Sequence, residues 1–244
     1  MNTADMNIPE LLRCQASEAA KVLEALLADS QGIEAHQRTF HQLAQLSICA
    51  EAIQHRRESK LMQHALKEYQ YAQFALASGL YRQSFSSLRL ALELALSTID
   101  FSVNEVKLRR WLKGEADIVW ATLVDDRSGV LSTAFVATFS AHLSEHASSY
   151  RAMAEKVYRE CSEYVHGNVT THDKLPDEIL YSRECVLSWC DKADTVARVI
   201  IYAVAVRYME DLDAQQVERL KPVWLDTLGH IEALRYALGG STGG

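Results

Sequence analysis

The sequence predicts an all-α protein, and three observations carry that prediction. Apolar residues recur at three- and four-residue spacings almost throughout, as in Leu88, Leu92, Leu96 and Ile99, which is the period of one helix face. Runs that alternate apolar and polar residues, as a half-buried strand requires, are nearly absent. Breakers are few, with three prolines and ten glycines in 244 residues, a chain long enough to bury one sizeable core.

The elements follow in order. A first helix opens around Pro9, whose fixed φ suits an early helical position, and runs to about Ala28, where Asp29-Ser30-Gln31-Gly32 breaks it. A long helical region covers about residues 34–78 and stops at Gly79. It lacks an unbroken apolar heptad seam, so both two helices and one long arm fit. A third helix runs from about Tyr81 to Phe101. Residues 102–129 are the least regular stretch, with Gly114, Asp125, Asp126 and Gly129 as turn formers. Helical pattern resumes near Val130, kinks around His146 to Ser149, and ends at Gly167, a residue suited to a left-handed C-cap. Thr170 to Pro176 reads as a loop, Asp177 to Asp211 as a long helix, and Ala214 to Lys221 and Val223 to Leu238 as closing helices. Three parts result: an N-terminal helical extension over 1–79, suited to dimerisation or partner binding, a helical bundle over 80–238, and a glycine-rich flexible tail over 239–244.

Composition narrows the function classes. The longest apolar run, Val196 to Met209, contains Arg198 and Arg207 and is short for a bilayer. The first nine residues contain Asp5 and no basic stretch followed by an apolar one. A soluble, cytoplasmic protein is the expectation. Cys14, Cys49, Cys161, Cys185 and Cys190 include no CxxC pair, which suits reduced thiols in packing roles. His142 and His146 have the spacing of a helical zinc pair but no HExxH accompanies them, so no metal is expected. No glycine-rich phosphate loop or nucleophile elbow appears, so no cofactor is expected either. The formal charge of −7 disfavours promiscuous nucleic-acid binding. Residues 80–166, with ten Lys and Arg against eleven Asp and Glu, form the stretch closest to neutral.

That stretch carries the candidate chemistry. Arg159 and His166 are seven apart, so they point the same way on a helix, two turns apart. A guanidinium grips a phosphate in bidentate fashion, and an imidazole at a helix C-terminus can act as acid, base or phosphate ligand. Glu163 shares their face, and Tyr164 or Ser162 can add a hydrogen bond. On the third helix Arg89 and Glu93 are four apart and share a face. If the two helices pack antiparallel, an Arg89–Glu163 or Glu93–Arg159 bridge is the expected pairing, because an unpaired buried charge is costly. Lys107, Arg109, Arg110 and Lys113 surround Trp111. They read either as an RNA-binding patch or as a solvated insert anchored by a buried tryptophan. The R-x4-6-H pattern occurs twice, at Arg57 with His64 and at Arg159 with His166; the second is set apart by the glycine that follows it and by its charged partner helix.

The helix Tyr81-Arg82-Gln83-Ser84-Phe85 through Ser87-Leu88-Arg89 to Glu93, then Trp111 in an irregular insert, then Tyr158-Arg159-Glu160-Cys161-Ser162-Glu163-Tyr164-Val165-His166-Gly167, together resemble the HEPN superfamily. The likeness spans about residues 80–210 and is to the HEPN-like proteins of bacterial antiphage and toxin–antitoxin systems. It implies a helical bundle, commonly dimeric, and a metal-independent ribonuclease with Arg159 and His166 in the R-x4-6-H positions. Glu163, Tyr164, Arg89 and Glu93 would support them. The implied partners are RNA, a second copy of the chain, and an antitoxin or defence protein. The alternative reading is a helical interaction protein in which Arg159 and His166 hold the bundle together.

Overall fold

The computed structural model describes residues 7–166 and 169–239, and every regular element among them is helical. The order is α1 (Ile8–Ala28), α2 (Ser30–Ala52), α3 (Ser59–Ala77), α4 (Tyr81–Val103), α5 (Glu105–Leu112), α6 (Trp120–Leu123), α7 (Thr133–Phe139), a 3-10 segment (Ala141–His146), α8 (Ala147–Val165), α9 (Val169–His172), α10 (Arg183–Tyr208), α11 (Ala214–Leu228) and α12 (Glu232–Ala237).

Local chemistry explains where these elements start and stop. Asn7 and Glu10 close a reciprocal capping box at the start of α1. The break expected over Asp29 to Gly32 shrinks to one residue, because Asp29 ends α1 and its carboxylate also accepts from the Gln31 N–H at 3.2 Å to start α2. Gly32 serves close packing there: a Cβ on it would stand 2.6 Å from the Tyr181 hydroxyl. The long region before Gly79 is two helices, α2 and α3, and Gly79 takes φ +76° in the turn to α4. The stretch read as irregular contains α5, capped by the Asn104 side chain on the Lys107 N–H at 3.1 Å and held by Leu108 against Leu61 and Phe101.

Three further boundaries differ from the sequence reading. The stretch before Arg183 is not helical, because the Tyr81 hydroxyl accepts from the Ser182 N–H at 2.7 Å and donates to the Leu180 carbonyl at 3.1 Å. That clamp fixes the strap, and Ser182 then caps α10. Residues 169–172 form one helical turn rather than loop. Pro222 lies inside α11, whose buried Leu220, Val223, Trp224 and Leu228 hold the helix through the missing N–H; the break comes later, around Gly229 and His230. The left-handed cap expected at Gly167 falls outside the described residues.

Contacts fix the directions of the helices. Asp29 at the start of α2 pairs with Arg183 and Gln42 bonds Asp194, while Tyr81 clamps Ser182 and Ser102 accepts from Arg207, so α2 and α4 run parallel to α10. Tyr69 on Gln42 and Gln73 on Thr39 set α3 antiparallel to α2. Tyr150 stacked on Tyr202 and Lys192 paired with Glu160 set α8 antiparallel to α10. Helix α10 is therefore the central element, touching α2, α4, α8 and α11, with residues Val199 to Tyr208 all buried. The boundary read at residue 79 falls in the α3–α4 turn, and core residues on both sides of it belong to one continuous cluster running from Leu26 to Leu238. No described helix is long and apolar enough to cross a membrane.

Candidate functional site

Helices α4 and α8 pack antiparallel, the arrangement in which a charge bridge between them is expected. The register puts Arg82 on the Val165 carbonyl at 3.2 Å, stacks Phe85 on Tyr164 with centroids 3.8 Å apart, and sets Arg89 against Tyr158.

That register corrects the pairing expected from sequence. Neither an Arg89–Glu163 nor a Glu93–Arg159 bridge forms. Tyr158 takes the place of the acid: Arg89 donates to its hydroxyl and lies over its ring at 4.4 Å, and the hydroxyl donates to Glu93 at 3.4 Å. Burial pushes the Glu93 carboxyl above its ordinary range, and Arg89 and Tyr158 pull it part of the way back. The far face of Tyr158 stacks on Trp120, with centroids 3.7 Å apart and planes 2° from parallel. Trp120, another aromatic of the insert, thus packs on the α4–α8 pair, which Trp111 does not. Nothing in the local sequence distinguished the two, although Tyr158 stood beside Arg159 in the motif itself.

One residue further along, the helix has turned about 100°, and Arg159 is exposed. Exposed too is His166, which ends α8 with its N–H donating to the Ser162 carbonyl at 3.1 Å. No described residue forms an ion pair with Arg159, Glu163 or His166. Arg159 lines a cavity of about 340 Å³ between α8 and the start of α10. Glu160, Glu163, Lys174, Glu184 and Lys192 also line it, so three cations face three acids. His166 is not part of that lining. Lys192 is mostly buried and holds Glu160 at 3.4 Å. Tyr164 lines the same cavity, yet its ring is committed to Phe85, and burial pushes its hydroxyl up to about 12. Ser162 donates its hydroxyl to the Tyr158 carbonyl at 2.7 Å and is thereby occupied.

The basic segment around Trp111 has a different character. Lys107 pairs with Asp100 at 3.0 Å, and Arg109 pairs with Glu105 at 2.6 Å. Arg110 donates to the Glu115 carbonyl at 3.4 Å, and Lys113 lies 4.0 Å from the Glu115 carboxylate. Trp111 packs on Phe101, Leu61 and Leu108. Arg57 of the other R-x4-6-H match pairs with Glu105 at 2.6 Å. All five cysteines are free, and only Cys14 is exposed. Among the described residues no three His, Cys, Asp or Glu side chains gather closely enough to share a metal ion.

No family model, curated protein or solved structure matches this chain. The HEPN likeness therefore rests on the residues quoted for it.

Proposed function

We propose that the chain is a HEPN-like ribonuclease of the toxin or antiphage type, acting in the cytoplasm on RNA without a metal. The observation that supports this reading most is the pairing state of the end of α8: the Arg159 guanidinium and the His166 imidazole are both exposed, and neither forms an ion pair with a described residue. In this reading the RNA 2′-hydroxyl gives up its proton and attacks the adjacent phosphorus, and the bond to the 5′-oxygen breaks. The departing oxygen takes a proton, leaving a 2′,3′-cyclic phosphate and a 5′-hydroxyl. His166 moves the protons, and Arg159 stabilises the charge on the phosphorane oxygens. Seven residues correspond to about 10 Å of rise along α8, too far for both groups of one chain to grip one phosphate comfortably. Two copies with their α8 helices antiparallel across a twofold axis would bring each arginine to the other copy's histidine, so a homodimer belongs to the proposal. The free cysteines suit a reducing cytoplasm. An antitoxin or defence-system protein is the partner that such a nuclease calls for.

The test is cleavage of labelled RNA by the purified chain in EDTA, with the 2′,3′-cyclic end identified by mass spectrometry. Intact RNA, or cutting by Arg159→Ala and His166→Ala at the wild-type rate, overturns the proposal. A second reading, a helical interaction protein that docks on a partner, is favoured by one observation: Ile8, Leu12, Leu23 and Leu27 of α1 are all exposed. Under it, the same two alanine variants would change neither the RNA nor the melting temperature, because both side chains are exposed and outside any described ion pair.

A further inference from the structure

Helix α3 carries a second pattern on the side turned away from the core. Its buried face is formed by Leu61, Met62, Ala65, Tyr69, Ala72 and Leu76. On the opposite side Lys60, His64, Lys67, Tyr71 and Phe74 follow one another at steps of four, three, four and three. At 100° per residue these five fall within about 80° of arc, and fourteen residues of rise make a stripe about 21 Å long. Tyr71 is 61% exposed and Phe74 73% exposed. Lys60 and Lys67 are exposed, and no described residue forms an ion pair or side-chain hydrogen bond with either. The stripe contains no carboxylate, in a chain of net charge −7.

We infer that this face of α3 binds single-stranded RNA. Lysines track a phosphate backbone, and exposed aromatic faces accept unstacked bases whatever their identity. A base-paired helix keeps its bases inside the stack and offers such rings nothing to lie against. Exposed Tyr and Phe also occur where proteins dock, and what favours a polyanion here is the pair of lysines seven residues apart on the same face, neither held by a described acid. The stripe also runs toward the end of the bundle that carries His166. Phe74 lies near the α3–α4 turn, and Arg82, in the first turn of α4, bonds the carbonyl of Val165. Choosing RNA over DNA rests on the ribonuclease reading; the binding itself does not require cleavage.

The experiment uses the full chain carrying His166→Ala, so that RNA is not consumed, and a fluorescein-labelled oligouridine of about 12 nucleotides. Anisotropy gives the affinity over a range of salt. Tyr71→Ala with Phe74→Ala is expected to weaken binding at least about tenfold, since each stacked base contributes substantially. Lys60→Gln with Lys67→Gln is expected to flatten the slope of log K against log salt by about 1.4, two phosphates at about 0.7 each. Both double variants should melt with the parent, because the five side chains lie outside the core. Equal affinity in parent and variants overturns the inference, as does binding of a duplex or of oligothymidine as tight as that of oligouridine, or a stripe that captures protein and no RNA. Binding through the stripe by a wild-type chain that cuts nothing would sustain this inference and end the nuclease proposal. Cleavage unchanged by all four substitutions would do the reverse.

Discussion

Two segments of this molecule carry candidate phosphate ligands and differ in how those ligands are paired. Lys107 to Lys113 on α5 concentrates more positive charge than α8 does, yet Asp100, Glu105 and the Glu115 backbone and carboxylate engage all four cations. At the end of α8, one guanidinium and one imidazole face solvent with no described acid on them. A phosphate approaching α5 must displace carboxylates, whereas one approaching Arg159 breaks no ion pair, although Glu160, Glu163 and Glu184 line the same cavity. Charge density is therefore a poor guide to an anion site, and the pairing of each charge is a better one.

The largest expected effect tests that contrast directly. Arg159→Ala and His166→Ala should each reduce RNA cleavage at least about 100-fold, within the range for a lost acid–base or charge-stabilising group. Lys107→Gln and Arg109→Gln should change it less than about twofold, as surface ion pairs contribute little. A cleavage assay on the four variants decides the matter. Loss of activity in the α5 pair, with the α8 pair intact, would invert the comparison.

Trp111→Ala sharpens the contrast from the side of stability. The ring fills a half-buried place on Phe101, Leu61 and Leu108. Its removal should cost about 2 kcal/mol, below the 3–5 kcal/mol of a fully buried tryptophan. That corresponds to a fall of about 4–8 °C in Tm for a chain of this size. RNA affinity should not change. A stable variant with weakened RNA binding would mean that the ring stacks on bases after all.

Much of this architecture was legible in the sequence, and the gaps have physical causes. The all-α class, α1 and α4 follow from apolar spacing, whereas the approach of α4 to α8 enters only as a condition for pairing their charges. The identity of the partner did not follow, because it depends on register. A shift of one turn along α8 exchanges Glu163 for Arg159 or Tyr158 beside Arg89, and only packing selects Tyr158. The start of α10 was misplaced because the clamp on Ser182 comes from Tyr81, about a hundred residues away. The pairing of Arg109 with Glu105 could have been read from a four-residue spacing, whereas Lys107 with Asp100 crosses between two helices. The α3 stripe was equally readable. It is missed by a search for apolar periodicity, since its period is carried by lysine, histidine and aromatics.

A smaller effect is expected from Tyr158→Phe. The ring keeps its stack on Trp120 and loses the hydroxyl that Arg89 and Glu93 share. Chemical denaturation should show a loss of about 1.5 kcal/mol, the low end of the range for a hydrogen bond to charged groups, because the site is only partly buried. Cleavage should hold within a few-fold, because Arg159 makes no bond to this network. A large loss of cleavage at unchanged stability would show that the network positions the guanidinium rather than merely holding the two helices.

The smallest expected effect concerns a third arginine, close to the same end of the bundle, whose charge is engaged. Arg183 pairs with Asp29 at 2.6 Å, and Tyr181 donates to the same carboxylate. These bonds, Arg183 first, hold the Asp29 carboxyl down at about 2 against an ordinary 3.8. With the folded value depressed, the unfolded chain takes up its proton first as pH falls, so stability rises with pH across that interval. The contribution is complete above about pH 4, the unfolded value, and disappears as pH falls through about 2. Asp29→Asn keeps an acceptor for the cap on α2 and removes the charge. The Tm of wild type should therefore exceed that of the variant at pH 5, and the gap should narrow as pH falls below about 4 and close only below about pH 2. Other carboxyl groups titrate in both proteins and cancel in the difference. A gap that stays constant with pH would mean that the pair contributes shape and not charge. An arginine with a carboxylate beside it, as Arg183 has and Arg159 lacks, would then be no less available to a phosphate.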